Sequence, residues 1–278
     1  MDRSYVVKID CKDEKGLVYK ISETLYKDDV NIIANREFVD LHTGKFFFRA
    51  EIEGDINPGG LKKELIERLP ENSNVNISKR KRKNIVLMCT KESHALGDIL
   101  IKHYSGELNA DILAVVSNYD ILKPLVEKFD IPYFCVSHEG LDRDEHEKRI
   151  LEVLSGFDID YIVLAKYMRI LTPQFVKEYE NRIINIHHSF LPAFIGANPY
   201  KQAYNRGVKI IGATAHIVTD NLDEGPIIAQ DIIRVDHTYG WKDMQLAGRN
   251  VEKTVLSNAL TLAIEDKIFI NDNKTIIF

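Results

Sequence analysis

Cysteine is scarce in this 278-residue sequence: Cys11, Cys89 and Cys135 stand alone in apolar, strand-like runs. An odd count without C-x-x-C spacing excludes a disulfide framework, so three buried, reduced thiols are expected. No apolar run approaches the roughly 20 residues that cross a bilayer, and the opening M-D-R-S-Y-V-V-K lacks the apolar core of a secretory signal. The expectation is a cytoplasmic protein with no membrane partner. A net charge of -5 gives no general attraction to nucleic acid, and the basic run K-R-K-R-K at 79–83 reads as a solvated linker. There is no G-x-S-x-G nucleophile motif and no H-E-x-x-H cluster, so neither a serine nucleophile nor a metal is expected. Glycine is missing from the turn C-T-K-E-S-H-A-L that starts at Cys89, which excludes a P-loop and a dinucleotide fingerprint, and with them ATP or NAD.

What is present divides into two parts. Residues 1–78 read as β-α-β-β-α-β: alternation at 5–9, helical spacing of Leu17, Ile21 and Leu25, β-rich runs at 31–39 and 45–52 around L-H-T-G, a helix at 61–69, and a strand at 74–77. That order is ferredoxin-like. After the linker at 79–83, residues 84–278 alternate near-continuous apolar strands (N-I-V-L-M-C-T, D-I-L-A-V-V-S-N, P-Y-F-C-V-S, D-Y-I-V-L-A, I-I-N-I-H-H) with helical segments. Such alternation predicts an open, mostly parallel α/β sheet with its site at the carboxyl ends of the strands. A helix is expected at 122–129, and another at 244–264 with Leu246, Val251, Val255 and Leu260 inward and Arg249 and Glu252 on its surface. The end, K-I-F-I-N-D-N-K-T-I-I-F, reads as a hairpin whose apolar edges suit a homo-oligomer.

The chemistry concentrates in residues 183–225. Alternation puts Asn185 and His187 on one face of a strand, with His188 opposite. A second strand carries His216 into the acidic loop of Asp220, Asp223 and Glu224, closed by Gly225. An Asn amide can donate to a developing oxyanion, an imidazole can donate or shuttle a proton, and a carboxylate can take one from water. Asn185, His187 and Asp223 therefore form a candidate acyl-transfer or hydrolysis set without a covalent nucleophile. Taken singly, each is more often a packing or capping residue than a catalytic one. Lys91 and His94 read as capping or surface residues of the helix after Cys89, favoured about two to one over lining the space beside that turn.

These segments carry a resemblance. N-I-H-H-S-F-L-P-A-F-x-G, G-A-T-A-H-x-V and D-E-G-P-I-I-x-Q-D resemble the formyltetrahydrofolate-using transferases and hydrolases. With H-H-S-F-L-P-A-F-I-G-A-x-P-Y and a preceding C-x-D-x-x-G-L-V, N-I and T-G-x-F-F-x-R, which resemble an ACT domain, the match is closest to the deformylase branch and runs over nearly the whole chain. The resemblance implies that Asn185, His187 and Asp223 are catalytic, and that residues 165–171 (Ala165, Tyr167, Met168, Arg169, Ile170, Leu171) and 220–225 (Asp220, Asn221, Leu222, Gly225) hold a folate. Beside that set, His216 and Ser189 are expected as supporting residues, His216 orienting Asp223. An amino-acid effector at Asp13, Gly16 and Asn31 of the ACT-like domain is weighed evenly against plain structural roles. No cofactor is implied, because the folate is the substrate.

One departure bears on the acceptor. The related glycinamide ribonucleotide transformylases cradle the acceptor's phosphate in a glycine-rich turn after their first strand, and C-T-K-E-S-H cannot form that cradle in the same way. Water is then the expected acceptor, with formate and tetrahydrofolate as products, formate serving purine biosynthesis and the reaction balancing one-carbon folate pools. In this expectation Asp223 orients and deprotonates the water. The rival expectations are formyl transfer to a small amine, and an amino-acid-binding protein whose α/β domain is inactive.

Overall fold

The structure, a computed structural model, describes residues 3–194 and 198–278. Residues 195–197, inside the H-H-S-F-L-P-A-F-I-G-A run, lie outside the described residues. The chain forms two compact units, residues 1–81 with Phe278, and residues 82–277.

In the first unit β1 (Ser4–Lys12), α1 (Leu17–Lys27), β2 (Asn31–Asp40), β3 (Lys45–Glu53), α2 (Pro58–Arg68) and β4 (Asn74–Lys79) follow in that order. The strands form one antiparallel sheet in the order β2-β3-β1-β4, the ferredoxin-like arrangement. Alternate residues Val7, Ile9 and Cys11 of β1 and Phe46, Phe48 and Ala50 of β3 turn to one face, where Leu17, Ile21 and Leu25 of α1 and Leu61 and Leu65 of α2 cover them. The second helix begins three residues before its apolar stripe, because the Asn57 side chain caps Gly59 and Gly60 and Pro58 occupies the first turn.

The second unit opens with β5 (Lys83–Cys89), so Lys79 and Lys83 are both strand residues and the connection is shorter than the basic run. It continues through α3 (His94–Tyr104), β6 (Ala110–Ser117), α4 (Lys123–Val126), β7 (Tyr133–Cys135), α5 (Arg143–Leu154), β8 (Tyr161–Leu164), α6 (Pro173–Glu178), β9 (Ile183–His187), α7 (Pro199–Arg206), β10 (Ile210–Ile217), β11 (Ile227–Arg234), α8 (Trp241–Ile264) and the hairpin β12 (Ile268–Asn271) and β13 (Lys274–Ile277). The helix expected at 122–129 is only α4 followed by a 3-10 turn at Glu127–Phe129.

The main sheet has seven strands in the order β11-β10-β9-β8-β5-β6-β7. From β9 to β7 neighbouring strands are parallel, while β10 is antiparallel to both β9 and β11. Ile85, Leu87 and Cys89 of β5 pack toward α3 and α8, and Val86 and Met88 pack toward α5 and α6. Helices on both faces explain why these strands read as continuous apolar runs. Strand order reverses between β5 and β8, which opens a crevice beyond their carboxyl ends.

Three expectations change. Cys11 and Cys89 are buried, but Cys135 is exposed, since β7 is an edge strand with one side unpaired. On α8 the buried stripe runs through Met244, Gly248, Val251, Glu252, Val255 and Leu256. Leu246 falls off that stripe and is 63% exposed, whereas Glu252, expected on the surface, falls on it and is 1% exposed.

Candidate active site

A cavity of about 640 Å³ lies at the strand-order reversal, within the range of small-molecule sites. Asn185 and His187 enter it from β9, at the positions alternation assigns them. His216 comes from the neighbouring β10, where it pairs directly with Asn185. Because β10 runs antiparallel to β9, the loop after it leaves at the far end of β9 and folds back over the sheet to bring Asp223 into the cavity.

That fold-back needs unusual backbone. Asp223 has φ 57°, in the left-handed region that Asp tolerates better than most residues. Gly225 packs so closely on β10 that a Cβ would sit 1.9 Å from the Ile217 carbonyl oxygen. Gly225→Ala is therefore expected to destabilise the protein by about 1–3 kcal/mol, the usual cost of overpacking. A denaturant midpoint equal to wild type would refute this.

The polar groups interlock. His187 Nδ1 is 3.2 Å from Asp223 Oδ2, and His187 Nε2 is buried with no partner among the described residues, leaving it for a ligand. His216 Nδ1 lies 2.9 Å from the Ile217 carbonyl. A carbonyl can only accept, so Nδ1 carries hydrogen and Nε2 is free to accept from the Asn185 amide at 3.2 Å. The Asn185 side chain is thereby oriented with a second N–H to offer. His216 Nε2 is more distant, 3.7 Å, from Asp223, so its nearer contact is Asn185 rather than the carboxylate it was expected to orient. Burial alone would raise the Asp223 pKa, but the hydrogen bond and charge of His187, at 3.2 Å, outweigh it and hold the carboxyl well below the usual carboxylate range.

The expected folate segments divide. Tyr167, Met168, Arg169, Ile170, Leu171, Asp220, Asn221 and Leu222 line the cavity, whereas Ala165 and Gly225 do not. Ala165 is fully buried and donates its N–H to the Met88 carbonyl, fixing the start of the first segment. The Met168 N–H donates to Thr90 Oγ1, tying that segment to the end of β5. Ser189 is also outside the lining: its hydroxyl donates to the Ala193 carbonyl, and its own carbonyl accepts from Thr214 Oγ1, so it shapes the loop after β9. Asp13, Gly16 and Asn31 belong to the first unit. The Asp13 N–H donates to Gly44, Gly16 precedes α1 at φ 92°, and Asn31 opens β2.

A second polar cluster was not legible in the sequence. Glu252 of α8 accepts from Tyr200 Oη at 2.6 Å, lies 2.8 Å from His94 Nε2 and 3.2 Å from Lys166 Nζ. Lys166, the residue after Ala165, is 4% exposed and has φ 63°. His94 thus joins a buried network instead of capping α3, and Lys91 stacks its ammonium on the Tyr119 ring. Gly248 leaves room for Tyr200, whose hydroxyl would lie 2.1 Å from a Cβ there. Glu92, Lys166, His188 and Tyr200 form the cavity wall on this side. His188 was expected on the face opposite His187, yet β9 ends at His187 and the cavity wraps the strand end, so both rings border it with centroids 5.2 Å apart. Among the described residues, no group of His, Cys, Asp and Glu is arranged as a metal set.

A family model described as formyl transferase matches residues 83–260. Over 272 residues the chain is 56% identical to the formyltetrahydrofolate deformylase of Haemophilus influenzae, covering 98% of each. It is 42% identical to that of Bacillus subtilis, over 97% of this chain and 92% of the other. The crystal structure of a formyltetrahydrofolate deformylase from Pseudomonas syringae superposes with a TM-score of 0.95 at 40% identity, covering all of this chain and 95% of that one. The chain belongs to the formyltetrahydrofolate deformylase family. Like its deformylase relatives it is an enzyme of the hydrolase class, and the likeness extends through the first unit as well as the formyltransferase-type sheet. No helix among the described residues is long and apolar enough to cross a membrane.

Proposed function

We propose that the chain hydrolyses 10-formyltetrahydrofolate to formate and tetrahydrofolate in this cavity. The observation that carries the reading is the convergence of Asn185, His187 and Asp223 in a cavity also lined by residues 167–171 and 220–222. The folate lies along those two segments with its formyl group toward β9. Asn185 donates its free amide N–H to the formyl oxygen, and His187, when protonated, donates from Nε2. Both donors are held before the substrate arrives, Asn185 by His216 and His187 by Asp223, so little reorganisation is needed as the oxyanion develops. Asp223 remains charged beside His187 and orients water. No cofactor enters the reaction as written, because the folate is the substrate.

Water as acceptor is supported by the turn after β5, where Thr90 to Ala95 contains no glycine and Glu92 faces the cavity, a poor seat for a phosphate. The formate would feed purine synthesis and the reaction would return tetrahydrofolate to the one-carbon pool. The first unit we read as an ACT-like module that binds an amino acid effector or joins copies of the chain into a homo-oligomer; its β2-β3-β1-β4 order supports that reading.

The test is incubation of the purified protein with 10-formyltetrahydrofolate and no acceptor. Formate and tetrahydrofolate are expected in equal amounts. Formate-free transfer that begins only when a small amine is added would make it a transferase, and absence of any turnover alongside amino-acid binding would make it a binding protein.

A further inference from the structure

The site as described leaves the proton of the attacking water without a good acceptor. Asp223 is engaged by His187, and a carboxyl held so far below its usual range binds a proton weakly. Asn185 is engaged by His216, Lys166 by Glu252, and His187 by Asp223 through Nδ1 and, as the protonated donor of the proposed reaction, by the formyl oxygen through Nε2. His188 differs from all of these. It borders the cavity, its ring lies 5.2 Å from that of His187 and 6.0 Å from that of Tyr200, and among the described residues no hydrogen bond engages either of its ring nitrogens.

We propose that His188 binds the attacking water and takes its proton. The assignment rests on reading the cavity as a formyl-hydrolysis site. The two rings border one cavity side by side, so a water held by His188 and a formyl oxygen held by His187 would be neighbours there. The groups facing His188 come from every neighbouring element: Lys166 after β8, His187 on β9, Tyr200 on α7, Asp223 in the folded-back loop and Glu252 on α8. Burial and the Lys166 ammonium push its pKa down to about 4, against the opposing pull of Glu252 and Asp223. The imidazole is consequently neutral at neutral pH, with a lone pair free for water. Glu252, bound to Lys166, Tyr200 and His94 together, is the frame that fixes the wall in which His188 sits.

The step balances. Water oxygen forms a bond to the formyl carbon as His188 takes one proton, and the tetrahedral oxyanion rests on Asn185 and His187. The bond from carbon to the folate nitrogen then breaks, and that nitrogen takes the proton from His188. Formic acid ionises to formate, releasing one proton to solvent.

Two nucleophiles separate a base from a structural residue. Hydroxylamine attacks through a neutral nitrogen lone pair and needs no prior deprotonation, and the proton its nitrogen sheds after attack goes to the departing folate nitrogen in place of the one His188 would return, giving N-hydroxyformamide and tetrahydrofolate. His188→Gln is expected to lower hydrolysis by on the order of 10² to 10³ while hydroxylamine-dependent turnover stays within about threefold of wild type, and added imidazole should restore hydrolysis to His188→Ala. Hydrolysis retained in His188→Gln, or equal loss of both reactions, overturns the assignment. Wild-type protein that releases no formate would instead overturn the reading of the cavity, and this assignment with it.

Discussion

Asn185→Ala is expected to leave the protein folded and to lower formate release by on the order of 10² to 10³, the usual consequence of removing one oxyanion donor. The loss should fall on kcat, because the amide contributes most when charge develops on the formyl oxygen and little to holding the folate, which lies along residues 167–171 and 220–222. The side chain is only half-buried and its one partner, His216 Nε2, is left facing a space that water can enter, so folding has little at stake. Steady-state kinetics with a circular dichroism melt would check both halves. Full activity in a folded variant would remove Asn185 from the mechanism.

Glu252→Gln is expected to destabilise the protein by about 3–5 kcal/mol, the typical cost of removing one member of a buried ion pair. The amide keeps the shape but leaves the Lys166 ammonium, 4% exposed, without its counter-charge. Pairing it with Lys166→Met should recover part of the loss, since the uncompensated charge is then gone; denaturant unfolding of the single and double variants measures this. Acid sensitivity follows with a definite sign. Burial would raise the Glu252 pKa, but the His94 hydrogen bond, Lys166 and Tyr200 hold it at about 2, against an ordinary 4.5. A folded-state pKa below the unfolded value gives stability that is fully present above about pH 4.5 and is lost as pH falls toward 2. Wild-type unfolding free energy should therefore decline more steeply than that of Glu252→Gln below pH 4.5, and parallel curves would contradict the network.

Much of the fold was legible because each element carries its own periodicity. Period-two runs placed β1 and β3, covered strands announced a sheet with helices on both sides, and the alternation within I-I-N-I-H-H put Asn185 and His187 on one face. Errors arose where an element's surroundings overrode its pattern. Cys135 sits in an apolar run, but the run is an edge strand, and edges are assigned by sheet order, which no single segment records. Leu246 and Glu252 both belong to the long amphipathic pattern of α8, and small differences in phase sent the leucine out and the carboxylate in.

The sequence by itself determined the residue types of the site, the strand that presents Asn185 and His187, and, through its central motifs, the family. Only the tertiary structure decided which groups meet. Asp223 reaches His187 because β10 runs antiparallel and its loop must fold back, a geometry that requires Gly225 against Ile217. Glu252, His94, Lys166 and Tyr200 meet from four separate segments, and His188 gains its place in the cavity from where β9 stops. Charges distant in sequence carry no periodic mark of each other; their pairing is set by strand order and helix phase, which exist only once the chain has packed.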